Sequence, residues 1–358
     1  MKKFILKSSF FIVPFLVLFG LRILYSSSGP SREDGDLVRM AYFYSNPLPR
    51  STIKDRYNMP KMYSLLTETN PLTHGEFEVM TIGDSFSEQE NLGYKNFLGN
   101  AGVSVVHVDR HISGRNPIQT LVSLINSDFF EVVKPKYVVL QSIEREINQR
   151  TRTIDFNEKL EDINFYIPED SEPSLNTNYE VNVQDSSYSM QFFSDATIKM
   201  PLNYLQYLFM DKPLTSNTYK VKITTQSLFT NSPNNLLFYK KDFQNLAIKN
   251  DSLSIVNSVN VLNKISALLS SKDVELIVLV SPDKYDLYYP YIKEKSKYKE
   301  PRFFSIYQNT EKSYKNIDIY GVFARKLPDE RDIYYYDDSH WAPKGAKIIA
   351  DEIFDMIK

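Results

Sequence analysis

Four short apolar runs, FEVMTI (77–82), VSVVHV (103–108), YVVLQS (137–142) and VELIVLVS (274–281), alternate with segments of helical character. Runs of this length, bounded by turn residues and separated by helices, build a parallel sheet covered by helices, so the chain is expected to be an α/β protein. PIQTLVSLI (117–125) opens on a proline suited to a first helical turn, and residues 87–98 and about 255–270 also read as helices. After Pro343, residues Ala346, Ile349, Ala350, Ile353, Phe354 and Ile357 recur at helical spacing, with Lys347, Asp351 and Asp355 on the other face. That last helix should pack on the sheet.

At 358 residues, 42% of them apolar, the chain can bury a substantial core. Lys and Arg number 42 against 44 Asp and Glu, so the basic excess that phosphate backbones demand is missing and nucleic acid is not an expected partner. The absence of cysteine removes disulfides, thiolate metal sites and cysteine nucleophiles together. Residues 150–250 break the strand–helix rhythm. Rich in Asn, Ser, Asp and Tyr, with alternating stretches such as YEVNVQ and YKVKITT, they read as an inserted subdomain of loops and short strands.

The N-terminus reads differently. MKKFILK places three lysines ahead of FFIVPFLVLFGLRILY (10–25), the basic-then-apolar order of a secretory signal or a signal anchor. Residues 4–25 are long enough for a bilayer core of about 30 Å, and no Ala-x-Ala type cleavage site follows. An uncleaved transmembrane anchor (1–25) is the favoured reading, with the lysines on the cytoplasmic side and everything after Tyr25 outside the cytoplasm. SSSGPSREDGD (26–36) then reads as the start of a solvated linker and N-terminal extension (26–70), followed by one catalytic domain (71–358) that carries the insertion.

Chemistry is suggested at VMTIGDSFSEQE (79–90), where an apolar strand stops at Gly-Asp-Ser. Ser85 would stand at the carboxyl edge of the sheet, where open α/β folds bind their ligands. Its N–H is expected to open a helix, where amide and helix dipole would stabilise an oxyanion. A serine needs a general base, and only four histidines exist: His74, His107, His111 and His340. His340 lies in DDSHW (337–341), just before the last helix, with Asp337 and Asp338 three and two residues upstream; one of them can orient the imidazole. The same string also suits a capped helix start with an aromatic packed on the core. HVDRH (107–111) sets His107, Asp109 and His111 at alternate positions, as a strand-borne zinc site would, but such alternation is also ordinary at a half-exposed edge. Lys284 in SPDKY either holds an anionic group or decorates a loop.

GDSF (83–86) together with DDSHW (337–341) resembles the SGNH, or GDSL-like, hydrolase superfamily. Within it, DSHW followed by PKGA (343–346), SPDKYDLYY (281–289) and QSIER (141–145) resemble the envelope acyltransferase branch, the AlgX/AlgJ-like and DltD-like proteins. The likeness covers roughly 75–150 and 255–358 and leaves out the insertion. It implies a three-layer flavodoxin-like fold and a catalytic set of Ser85, Asp338 and His340. Asp338 is preferred to Asp337 because the branch reads Asp-x-His-Trp, and the other carboxylate is expected to face solvent. The superfamily's Gly-x-Asn-Asp block is absent, with QSIER in its place. Arg145 of that string is a possible oxyanion or substrate-binding group, and equally a helix cap or the partner of a surface carboxylate. In the alginate proteins Asp-x-His precedes the serine, whereas here it follows.

The function implied is a serine O-acyltransferase, most simply one that O-acetylates a cell-surface or exported polysaccharide, with no cofactor. Because acetyl donors are cytoplasmic, the resemblance also implies a multi-span membrane O-acyltransferase of the MBOAT type as partner. A carbohydrate esterase with the same three residues, and a non-catalytic envelope scaffold, are the alternatives.

Overall fold

A computed structural model describes residues 2–28, 34–42, 53, 56–57, 59–68, 77–161, 163, 165, 195–244 and 246–358. His74 and the YEVNVQ stretch lie outside the described residues. The helices used below are α1 (Lys2–Ser28), α2 (Asp36–Ala41), α3 (Tyr94–Asn100), α4 (Pro117–Ile125), α5 (Glu144–Arg152), α6 (Ser252–Ser270), α7 (Lys284–Tyr288) and α8 (Pro343–Ile357). The strands are β1 (Ser64–Leu65), β2 (Val79–Ile82), β3 (Val105–Val108), β4 (Tyr137–Ile143), β5 (Thr218–Lys222), β6 (Asn235–Tyr239), β7 (Glu275–Ser281) and β8 (Lys315–Asn316).

Six strands form one sheet in the order β1-β3-β2-β4-β7-β8, and every pairing in it is parallel. Counted from β2, this is the 2-1-3-4-5 order of flavodoxin-like folds, with β1 added at the edge. Alternation along the strands divides the core. Val79, Val105, Val139, Ile277 and Leu279 face one apolar layer with Ala346, Ile349 and Ile353 of α8. Met80, Ile82, Val106, Val138, Leu140 and Val278 face the other, with Leu121 and Val122 of α4 and Val259, Leu262 and Leu269 of α6. Both faces are covered, which is why the strands read as continuous apolar runs.

β5 and β6 form an antiparallel hairpin inside the inserted stretch. Its Val221, Leu236, Leu237 and Phe238 share a buried cluster with Val79 and Ile277 of the main sheet. The hairpin is therefore cemented to one face of the domain.

The N-terminal stretch is helical over α1, with Phe10, Phe11, Phe15, Leu16 and Phe19 among its exposed side chains. Among the described residues, however, no helix is long and apolar enough to cross a membrane. The expected transmembrane helix is thus without support from the fold, some of its side chains lying outside the described residues. Beyond it, within the N-terminal extension, α2 packs on the domain: Leu37, Val38 and Ala41 are fully buried in the main core.

Candidate active site

Ser85 lies three residues beyond the end of β2, beside β4 at the point where strand order reverses, in a turn spanning 85–87. The turn is braced from below. Asp84 accepts from the Phe86 N–H (3.1 Å), the Ile143 N–H (2.8 Å) and the Arg150 guanidinium (2.6 Å). Burial alone would raise the Asp84 carboxyl, but the Arg150 charge and these hydrogen bonds outweigh it and hold the group below its ordinary range. Gln141, in the QSIER string, points into this brace: its Oε1 accepts from the Asp84 N–H and the Ser87 hydroxyl, both at 3.0 Å, and its Nε2 donates to Ser281.

No helix opens at Ser85. The expected helix over 87–98 begins only at Tyr94, because Ser87 is tied to Gln141 and Tyr94 and Glu90 adopts a left-handed φ of 46°. A helix dipole at the serine is therefore ruled out.

The histidine comes from the loop between Tyr334 and Trp341, just before α8. His340 Nε2 lies 2.7 Å from Ser85 Oγ, and Nδ1 lies 2.6 Å from Asp338 Oδ1, which also accepts the His340 N–H at 3.0 Å. A carboxylate can only accept, so Nδ1 carries the proton and Nε2 is free to accept from the serine. Burial disfavours the imidazolium, yet the Asp338 charge and hydrogen bond outweigh it, with help from Asp36 and against Arg145. The pKa of His340 is raised above 6.5. Phe86 stacks obliquely on the imidazole, 4.5 Å between centroids, and meets the buried Trp341 ring edge-on at 4.8 Å.

Three side chains stand elsewhere than their sequence reading suggested. Asp337 does not face solvent: it is 2% exposed, with Oδ2 accepting the Gly35 N–H at 2.7 Å. Arg145 reaches neither Ser85 nor its turn with a hydrogen bond. Its guanidinium binds Asp283 at 2.6 Å and Asp242 at 3.4 Å, part of a buried ionic cluster with Lys249, Glu144 and Asp286. Lys284 is no surface ornament; its buried ammonium donates to the carbonyls of Tyr335 (2.8 Å), Tyr336 (2.7 Å) and Asp338 (3.1 Å). Burial lowers it to about 8 against the pull of Asp337, Asp338 and Asp36.

HVDRH does not assemble a metal site. His107 is fully buried, with Nδ1 at the Thr81 hydroxyl (2.8 Å) and Nε2 at Glu88 (3.1 Å). Asp109 caps the short helix Arg110–Ser113 by accepting the His111 N–H. Among the described residues, the acidic and histidine groups close enough to share an ion are Asp36, Asp338 and His340, and Glu144, Asp283 and Asp286. In the first the imidazole is engaged with Ser85, and in the second the Lys249 ammonium is the shared cation.

Asp36 is the residue that sequence reasoning missed. Its Oδ1 accepts the Ser339 N–H (2.8 Å) and its Oδ2 the Ser339 hydroxyl (2.6 Å), while its own N–H donates to Asp338 Oδ2 (3.2 Å). The only local signal was the apolar pair Leu37–Val38 directly after an otherwise polar stretch.

The arrangement can deprotonate a serine toward a carbonyl, the first step of acyl transfer. No curated protein and no solved structure matches the chain. Residues 233–358, which include Lys284, Asp338 and His340 but not Ser85, match the family model described as SGNH hydrolase-like domain, acetyltransferase AlgX. The match supports the SGNH/AlgX-like family for this chain, carried by its C-terminal part.

Proposed function

We propose that the chain is a membrane-anchored, extracytoplasmic serine O-acyltransferase that acetylates hydroxyls of a cell-surface or exported polysaccharide. The reading is carried by one observation: a 2.7 Å contact between His340 Nε2 and Ser85 Oγ, residues 255 positions apart, with Asp338 on the other ring nitrogen. In the proposed course, His340 takes the Ser85 proton as Oγ attacks the acyl carbonyl. The intermediate collapses as His340 returns that proton to the departing donor group, and an acyl ester remains on Ser85. A sugar hydroxyl then gives its proton to His340 and attacks the ester carbonyl; the proton passes to Ser85 Oγ as its bond to the acyl carbon breaks. The Ser85 N–H is the candidate oxyanion donor, since no backbone hydrogen bond among the described residues uses it.

Membrane anchoring is proposed from Lys2, Lys3 and Lys7 ahead of the apolar stretch and from the exposed apolar side chains of α1, Phe10, Phe11, Leu16 and Phe19 among them. A multi-span O-acyltransferase of the MBOAT type is the proposed source of acyl groups, on the family resemblance alone. The test is to incubate the full chain in detergent with an aryl acetate and an oligosaccharide acceptor. Acetylated sugar that disappears in Ser85→Ala is the expected result. Free acetate without acetylated sugar would make the protein an esterase, and wild-type turnover no better than Ser85→Ala would leave a scaffold.

A further inference from the structure

The loop that carries Asp338 and His340 is held by a segment from the other end of the chain. Gly35 donates to Asp337 Oδ2, Asp36 donates to Asp338 Oδ2, and Asp36 accepts from both the backbone and the hydroxyl of Ser339. Leu37 and Val38 then direct their N–H groups at the Asp337 carbonyl, at 3.1 and 3.3 Å. Three successive loop residues are thus each clamped by residues 35–38. The clamp is itself fixed: Leu37, Val38 and Ala41 are fully buried, Thr218 donates to the Leu37 carbonyl (2.7 Å) and Asn203 to that of Ala41 (2.9 Å). Gly35 has to be glycine, because a Cβ there would overlap the Asp337 carbonyl.

We infer that Asp36 is a positioning residue for the proposed acyl transfer: it holds Ser339, and through it the Asp338–His340 pair, in register with Ser85, and its charge adds to the field on His340. One oxygen of Asp36, one of Asp338 and a ring nitrogen of His340 lie within 4.8 Å of one another, so the imidazole sits beside two carboxylates. The groups facing Asp36 come from several elements. Asp338 and His340 belong to the loop, Lys284 to α7 and Tyr239 to β6, while Arg145 of α5 acts on His340 itself. Burial and the Asp338 charge push the Asp36 carboxyl up to about 6 against the pull of His340 and the Ser339 hydrogen bonds. Removing the Asp36 charge lowers the pKa of His340.

The inference rests on the Ser85–His340 reading, and the experiment separates the two. The rate at which a fluorophosphonate labels Ser85 is measured on the full chain in detergent from pH 5 to 9, for wild type, Asp36→Asn and Asp36→Ala, with near-ultraviolet circular dichroism as the control for folding. Labelling requires neutral His340, so wild-type labelling rises with pH through the His340 pKa. The Asn amide can accept the Ser339 N–H and meet the Ser339 hydroxyl with its NH2, so Asp36→Asn should keep a plateau near that of wild type. Its acid limb should move to lower pH by about half a unit or more. Asp36→Ala leaves two buried donors without an acceptor, and its plateau should fall roughly tenfold or more. A labelled wild type with an unmoved limb in Asp36→Asn, or a wild-type plateau in Asp36→Ala, would overturn the positioning role alone. An unlabelled wild type would remove the Ser85 reading and this inference with it.

Discussion

A serine hydroxyl has no useful acidity at neutral pH, so what sets Ser85 apart from the other serines is the imidazole 2.7 Å away and the carboxylate behind it. Three groups acting as a unit lose activity non-additively. Ser85→Ala, His340→Ala and the double variant should each lower kcat for an aryl acetate by a similar factor, about a thousandfold or more, measured at constant KM. The pH dependence has a definite sign. His340 works as a base only when neutral and its pKa is raised, so kcat/KM should climb through a midpoint above pH 6.5 and stay flat above it. In Asp338→Asn, which removes the nearest negative charge, that midpoint should move down. At this scale the chain was legible where the signal was local: GDS at a strand end and DSHW before a helix are short strings with their own chemistry. Asp36 was not legible, since its partners lie 302 and 303 positions away and nothing within the string SREDGDLV announces them.

The loop from Tyr334 to Trp341 is irregular backbone in a buried place, and its carbonyls need donors. Lys284 supplies three of those donations from the first residue of α7. Lys284→Met keeps the apolar stem and deletes the donors, so about 1–3 kcal/mol of stability should be lost, and kcat should fall further than the stability loss explains. Thermal melting and kinetics of the same preparation check both parts. α8 shows the opposite case, in which everything needed is local. Pro343 starts it, and the spacing of Ala346, Ile349, Ala350 and Ile353 decides which face meets the sheet. The helix expected over 87–98 is shorter in the fold, Tyr94–Asn100, because composition cannot reveal that Ser87 is tied to Gln141 and Tyr94 or that Glu90 takes a left-handed conformation. Gln141, in the string that replaces the Gly-x-Asn-Asp block, braces the serine turn, a role that no local pattern marks.

Across the whole molecule, the 2-1-3-4-5 strand order puts the end of β2 next to β4 and brings the loop before α8 over the same edge, which is how the first and last parts of the domain share one site. The alternation of strand and helix made this architecture readable; the packing of the insertion was not, because β5 and β6 are short and the residues they pack against lie far along the chain. Beneath the site, Lys249 contacts Glu144 (2.9 Å), Asp283 (3.0 Å) and Asp286 (2.6 Å), joining the insertion to the sheet. Breaking such a buried set from one side costs about 3–5 kcal/mol, so Lys249→Met should lower the melting temperature by roughly 5 °C or more. The most direct measurement of the central claim is a rapid acid quench of the full chain with an aryl acetate, followed by peptide mass mapping. The account predicts a single acetyl ester on Ser85 in wild type, strongly diminished in His340→Ala; acetylation elsewhere, or equal amounts in both proteins, would contradict it.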